Sequence, residues 1–101
     1  MSTNEFPFEI SERIRNAVIY EGLELEELGI NLEDIKDDTL LFDDNGLGLD
    51  SVDALEVLAG VQREFGVTFQ DIDNDFITNH ASTAGRLAIT VSRYLKETST
   101  S

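Results

Sequence analysis

A chain of 101 residues has room for one small domain, expected to span residues 1–101, and excludes two domains with separate cores. Its 21 acidic residues against 7 basic ones give a net charge of -14, which excludes binding to a nucleic-acid phosphate backbone and favours partners that carry Lys/Arg patches. With no cysteine, the chain's own side chains offer neither disulfides nor thiolate chemistry. Residues 1–7 form neither a basic region nor an apolar run, so a secretory signal is not expected. Leu40-Leu41-Phe42 is too short for membrane insertion, and a cytoplasmic monomer is the expectation. Such a charge also repels itself. Raising the ionic strength is therefore expected to raise the melting midpoint; equal midpoints at low and high salt would remove self-repulsion as a significant term.

Pro7 has no amide hydrogen to leave unpaired and suits a first helical turn, and Ile10, Ile14, Ala17 and Val18 recur at helical spacing. The first helix is predicted over 7–20, with Glu12, Arg13, Arg15 and Asn16 toward solvent. From Glu21 to Asp50 the chain holds eleven acidic residues and one basic residue, Lys36, interleaved with Leu23, Leu25, Leu28, Ile30, Leu32, Ile35, Leu40, Leu41 and Phe42. A structureless connection of this length is uncommon, so its apolar residues are expected to be tacked onto the core, and most of its acidic ones read as a solvated face. Short turns are predicted over 23–28 and, capped by Asn31, over 32–35.

The second helix is predicted over 51–65 and ends at Gly66. Val52, Leu55, Leu58, Val61 and Phe65 form its apolar stripe, with Asp53, Glu56, Gly60, Arg63 and Glu64 opposite. Val67-Thr68-Phe69 is β-prone but has no alternating segment to pair with. A short third helix is predicted over 71–77. A last helix, capped by Ser82, turns Leu87, Ile89, Val91, Tyr94 and Leu95 inward and carries Lys96 in its last turn. Residues 98–101 read as a disordered tail, leaving an ordered core of about 7–97. The fold class is all-α: a small antiparallel four-helix bundle, three principal helices and one short one, with a long first loop.

Three chemistries are testable against these residues. A serine hydrolase needs a base held by a third group, and the lone His80 sits among Asn79, Ala81 and Ser82 with no elbow motif. Autonomous catalysis is not expected. Asp71, Asp73, Asp75, Ile77 and Asn79 fall on alternate positions of a calcium loop, but Phe76 stands where the turn needs glycine and Ser82 where a glutamate closes the shell. No metal site is therefore assigned. Gly46 and Gly48 lack the preceding strand and third glycine of a dinucleotide fingerprint. What remains is Ser51, delivered by a glycine-softened loop to the start of a helix, where Asp50-Ser51 reads first as a cap.

The wider pattern Gly-Leu-Asp-Ser-Val-Asp-Ala-Leu-Glu over 48–56 is preceded by Leu41-Phe42-Asp43-Asp44 and followed by Glu64-Phe65-Gly66-Val67. It resembles the phosphopantetheine attachment region of acyl carrier proteins, and the match covers about residues 32 to 69. The resemblance implies that Ser51 carries phosphopantetheine, attached by a phosphopantetheinyl transferase from coenzyme A. It also implies that acyl groups travel as thioesters on that arm to fatty-acid or polyketide-type enzymes. The partners implied are ketosynthase, acyltransferase or acyl-ligase type enzymes with basic patches. Asp50 matches the aspartate that contributes to magnesium and coenzyme placement. Val52, Asp53 and Glu56 match recognition positions, with Arg63 on the same face. Leu55, Leu58, Val61 and Phe65 match core positions that also line the cargo cavity in members that sequester their cargo.

The departures point to a specialised member. Gln62 and Arg63 interrupt the acidic run usual near the end of this helix, and the loop from Phe42 to Asp50 is longer than the common form. Two alternatives remain at this level: an aminoacyl or peptidyl carrier, and an acidic helical interaction or calcium-responsive module in which Ser51 only caps a helix.

Overall fold

The computed structural model describes residues 7–99, all of whose regular structure is helical, with no strand among them. Helix α1 (Pro7–Arg13) continues directly into a π-helical stretch, Ile14–Glu21. Turns closed by i→i+5 bonds are wider than α-helical ones, so residues four and five apart flank one line. Ile14, Val18 and Ile19 are therefore all buried, while Ala17 is only half-buried. The 3.6-residue period predicted the helix but not its widening, and it left Ile19 out of the core.

The first loop is tacked down as its apolar spacing predicts, though not throughout. Single 3-10 turns form at Leu25–Leu28 and Leu32–Asp34, and Leu25, Ile35, Leu41 and Leu49 are buried. The Asn31 amide donates to Asp34 Oδ2 at 3.4 Å, which fixes the second turn. Leu28, Leu32 and Leu40 stay exposed, contrary to the expectation for the loop's apolar residues. Two elements hold the loop's second half. Asp37 accepts from Ser11 Oγ, a side chain buried in α1, and pairs with Arg15, whose Nε lies 3.0 Å from Asp37 Oδ1. The Asp37 carbonyl accepts from the Gly85 amide at 2.9 Å, so one residue pins the loop to both the first and last helices.

Helix α2 (Ser51–Phe65) has the predicted bounds and ends at Gly66 in the left-handed conformation. Its buried face is Ala54, Val57, Leu58 and Val61, with Phe65 half-buried under the Arg13 guanidinium, 4.5 Å from the ring centroid. This corrects the predicted stripe: Leu55 is 59% and Val52 67% exposed. The helix is apolar on more than one side, and the small Ala54 with Val57 completes the inward arc that Leu58, Val61 and Phe65 share. Gln62 Nε2 donates to the Leu58 carbonyl, and its Oε1 accepts from the Phe69 amide at 2.9 Å. The residue that broke the acidic pattern thus straps Val67-Thr68-Phe69, itself not a strand, onto α2.

Helix α3 spans Asn74–His80 rather than 71–77. Asp71 turns the chain with a positive φ of 57°, and Asp73 takes the cap by accepting from the Phe76 amide at 2.9 Å. Helix α4 spans Ala84–Ser99, and its cap is Thr83, whose Oγ1 accepts from the Arg86 amide at 3.0 Å, not Ser82. Ala84, Leu87, Ala88 and Val91 form its buried line, with Tyr94 and Leu95 half-buried and Ile89 exposed, correcting the inward placement of Ile89. This buried line mixes two alanines with two larger side chains, and α4 packs against α1. Thr98 and Ser99, read as part of a tail, belong to α4; Thr100 and Ser101 lie outside the described residues.

Candidate functional site

The segment before α2 is a hydrogen-bonded knot. Leu41 and Leu49 are buried at its base, where the Leu49 amide donates to the Leu41 carbonyl and the Leu41 amide to the Ser82 carbonyl, both at 2.9 Å. Above them the Leu47 amide donates to the Leu40 carbonyl at 2.9 Å. The Asp43 carbonyl accepts from both Gly46 and Gly48, and Asp43 Oδ1 accepts from the Asn45 amide at 2.8 Å. The additional loop length is thus folded on itself.

Both glycines are required, for different reasons. A Cβ on Gly46 would collide with the Leu40 carbonyl, so only glycine allows that approach. Gly48 has φ of 67°, where side chains with a Cβ are strained.

The knot delivers Asp50 to the N-cap of α2. Asp50 Oδ1 accepts from the Asp53 amide at 2.9 Å, and Asp53 Oδ2 accepts from the Asp50 amide at 3.2 Å, a reciprocal capping box. Ser51 is accordingly the first helical residue rather than the cap, and it is exposed. Among the described residues no side chain or carbonyl engages its hydroxyl. The capping box occupies the Asp53 amide and the Asp50 carbonyl takes the Ala54 amide at 3.0 Å. The first amides of the helix, at Ser51 and Val52, have no intrahelical acceptor by geometry.

The remaining residues singled out from sequence divide into four groups. Val52 and Leu55 stand exposed beside Ser51, on the same outer face as Ala59, Glu56 and Arg63. Glu56 and Arg63 also line a shallow depression with Ala17, Val18, Leu23 and Gly60, where α2 meets the π-helical stretch. Asp53 is half-buried and committed to the cap, a role signalled by Asp-x-x-Asp at 50–53 and missed when the residue was read only as a face position. Leu58 and Val61 are core, and Phe65 borders it, whereas Leu55 points out and lines no interior. His80, half-buried, packs its ring on Phe76 with centroids 5.2 Å apart. Among the described residues no helix is long and apolar enough to cross a membrane.

Comparison with known proteins bears on this arrangement directly. A family model described as a phosphopantetheine attachment site matches residues 25–89, which include the whole knot, α2 and α3. The acyl carrier protein of Chloroherpeton thalassium is 38% identical over 53 residues, covering 52% of this chain. The chain spans 64% of the length of that curated relative. The chain belongs to the phosphopantetheine attachment-site family, whose members are carriers rather than catalysts, and it is a distant relative of acyl carrier proteins.

Proposed function

We propose that Ser51 is the residue to which phosphopantetheine is joined, and that the chain presents acyl groups borne on that arm to enzymes of fatty-acid or polyketide type. The observation that carries this reading is the separation of roles at the start of α2. Asp50 and Asp53 satisfy the cap by themselves, so the Ser51 hydroxyl is exposed and uncommitted among the described residues. A phosphodiester on Ser51 Oγ suits the unpaired amides and positive dipole end of a 15-residue helix. The fit therefore rests on Ser51, with the amides of Ser51 and Val52 as the donors that would hold the phosphate. When attached, the group supplies a terminal thiol, the nucleophile that a cysteine-free chain lacks.

The exposed face of Val52, Leu55, Glu56 and Arg63 is the surface we assign to the enzymes that use the carrier. An apolar pair at its centre gives contact area, and the mixed charges at its edge give discrimination between basic-patched partners. Arg63 opposes the general acidity of the chain at that edge, which supports a dedicated set of partners over the general fatty-acid enzymes.

The test is intact mass after incubation with a broad-specificity phosphopantetheinyl transferase, coenzyme A and magnesium. The native chain is expected to gain one phosphopantetheine group and Ser51→Ala none. No gain in the native chain, or an equal gain in the variant, would sink the assignment. Mass spectrometry of thioesters captured from the native host then distinguishes acyl from aminoacyl cargo.

A further inference from the structure

Arg86, Ile89, Arg93 and Lys96 are all exposed on α4 and spaced three, four and three residues apart, which places them on one stripe. Three of the chain's seven basic residues therefore share one line of a molecule that is acidic elsewhere. Helix electrostatics accounts for Lys96, in the last turn, but not for Arg86, which stands in the first turn where a positive charge opposes the dipole. Among the residues whose side chains are described, internal ion pairing does not account for the arginines either. Arg13 pairs with Glu64 and Arg15 with Asp37, yet among the described residues no carboxylate lies within ion-pair distance of Arg86 or Arg93.

Ile89 stands 42% exposed between the two arginines. Bulky apolar groups flanked by guanidinium groups are the composition of interface anchor points, where Arg and large apolar residues carry most of the affinity. Arg93 also lines a depression between α3 and α4 with Asp71, Phe76, His80, Thr90 and Tyr94. Its aromatic wall is held by Phe69, whose ring centroid lies 5.3 Å from that of Phe76 and 5.1 Å from that of Tyr94. A charged, apolar-centred stripe thus runs beside a preformed depression.

We propose that this outer face of α4 docks a segment of a partner protein that carries carboxylates around one bulky apolar side chain. The carboxylates meet Arg86 and Arg93, and the apolar group lies on Ile89 or enters the depression beside Tyr94. Charge complementarity selects this occupant over two others. An anionic lipid surface is read by clusters of about 4–8 basic residues, more than this stripe holds, and would face a chain of net charge -14. A second copy would bring a further -14 as a whole molecule, whereas a short segment brings only the few carboxylates that meet the arginines. The surface lies on α4 and leaves the α2 face free, so one partner could hold the carrier while another reacts at Ser51.

The test uses the full chain, isotopically labelled, titrated with a synthetic peptide in which glutamates flank a single leucine. Amide shifts are expected over 86–96 and around the depression, with affinity falling as salt rises. Binding is expected to weaken about tenfold or more for the double variant Arg86→Gln/Arg93→Gln, and likewise when the peptide's glutamates become glutamines. No shifts, shifts on another face, or equal affinity for the double variant would overturn the proposal. Vesicles of phosphatidylserine and phosphatidylcholine are expected not to retain the protein, and sedimentation velocity is expected to show a monomer. Arginine-dependent retention on the vesicles would reassign the surface to lipid, and an arginine-dependent dimer would reassign it to a second copy; either overturns the proposal. The double variant should still gain phosphopantetheine as the native chain does, which separates failure of this surface from failure of the Ser51 assignment.

Discussion

Leu58→Ala is expected to cost about 2–5 kcal/mol of stability, whereas Leu55→Ala, one turn earlier on the same helix, changes it by less than about 0.5 kcal/mol. Leu58 is 1% exposed in the core cluster, so truncation leaves a cavity that its packed neighbours fill only in part. Leu55 is 59% exposed, and its truncation removes little buried surface. The two side chains are identical before substitution, so chemistry is held constant and only the face of α2 differs. Urea denaturation of both variants measures the contrast. Comparable losses would mean that α2 is rotated from the orientation described. Under the proposed function the variants also differ in the opposite sense: Leu55→Ala should weaken use of the modified carrier by partner enzymes while leaving its stability in place.

Gly46→Ala carries the second large effect. The added methyl meets the Leu40 carbonyl, which already accepts from the Leu47 amide, so the backbone must move rather than a flexible side chain. Overpacking of this kind costs about 1–3 kcal/mol. The loss falls on the segment that aims Ser51. The rate of phosphopantetheine transfer should therefore drop more than the stability alone would suggest, because the variant that remains folded holds the knot less firmly. Gly48→Ala provides the comparison, since its penalty is the left-handed backbone itself, about 1–2 kcal/mol, with no atom to displace. Unaltered stability and transfer rate in Gly46→Ala would contradict the close approach at Leu40.

Much of the architecture was legible because its causes are local. The 51–65 apolar run and Gly66 mark helix ends through backbone chemistry that acts within one turn, and those bounds hold in the structure. Faces were less legible than bounds. Val52 and Leu55 are as hydrophobic as the residues that are buried, and nothing within the helix itself says which arc meets the π-helical stretch. The two alanines of α4 and Ala54 of α2 were overlooked for the complementary reason, since a small side chain marks close approach only once its neighbour is known. Long-range hydrogen bonds were beyond reach. Asp37 could be read as one more solvated acid, and only the fold brings Ser11, Arg15 and Gly85 to it. The site lies between these cases: the family pattern singled out Ser51, while the fold reveals that Asp50 and Asp53 close the cap without it.

That division of labour is the central claim, and one paired measurement tests it most directly: intact mass and melting midpoint of Ser51→Ala and Asp50→Ala after exposure to transferase, coenzyme A and magnesium. Ser51→Ala should melt with the unmodified native chain and gain no mass, while Asp50→Ala should lose about 0.5–2 kcal/mol of stability through the broken cap. A mass gain in Ser51→Ala equal to that of the native chain, or a loss of stability there as large as in Asp50→Ala, would contradict the account.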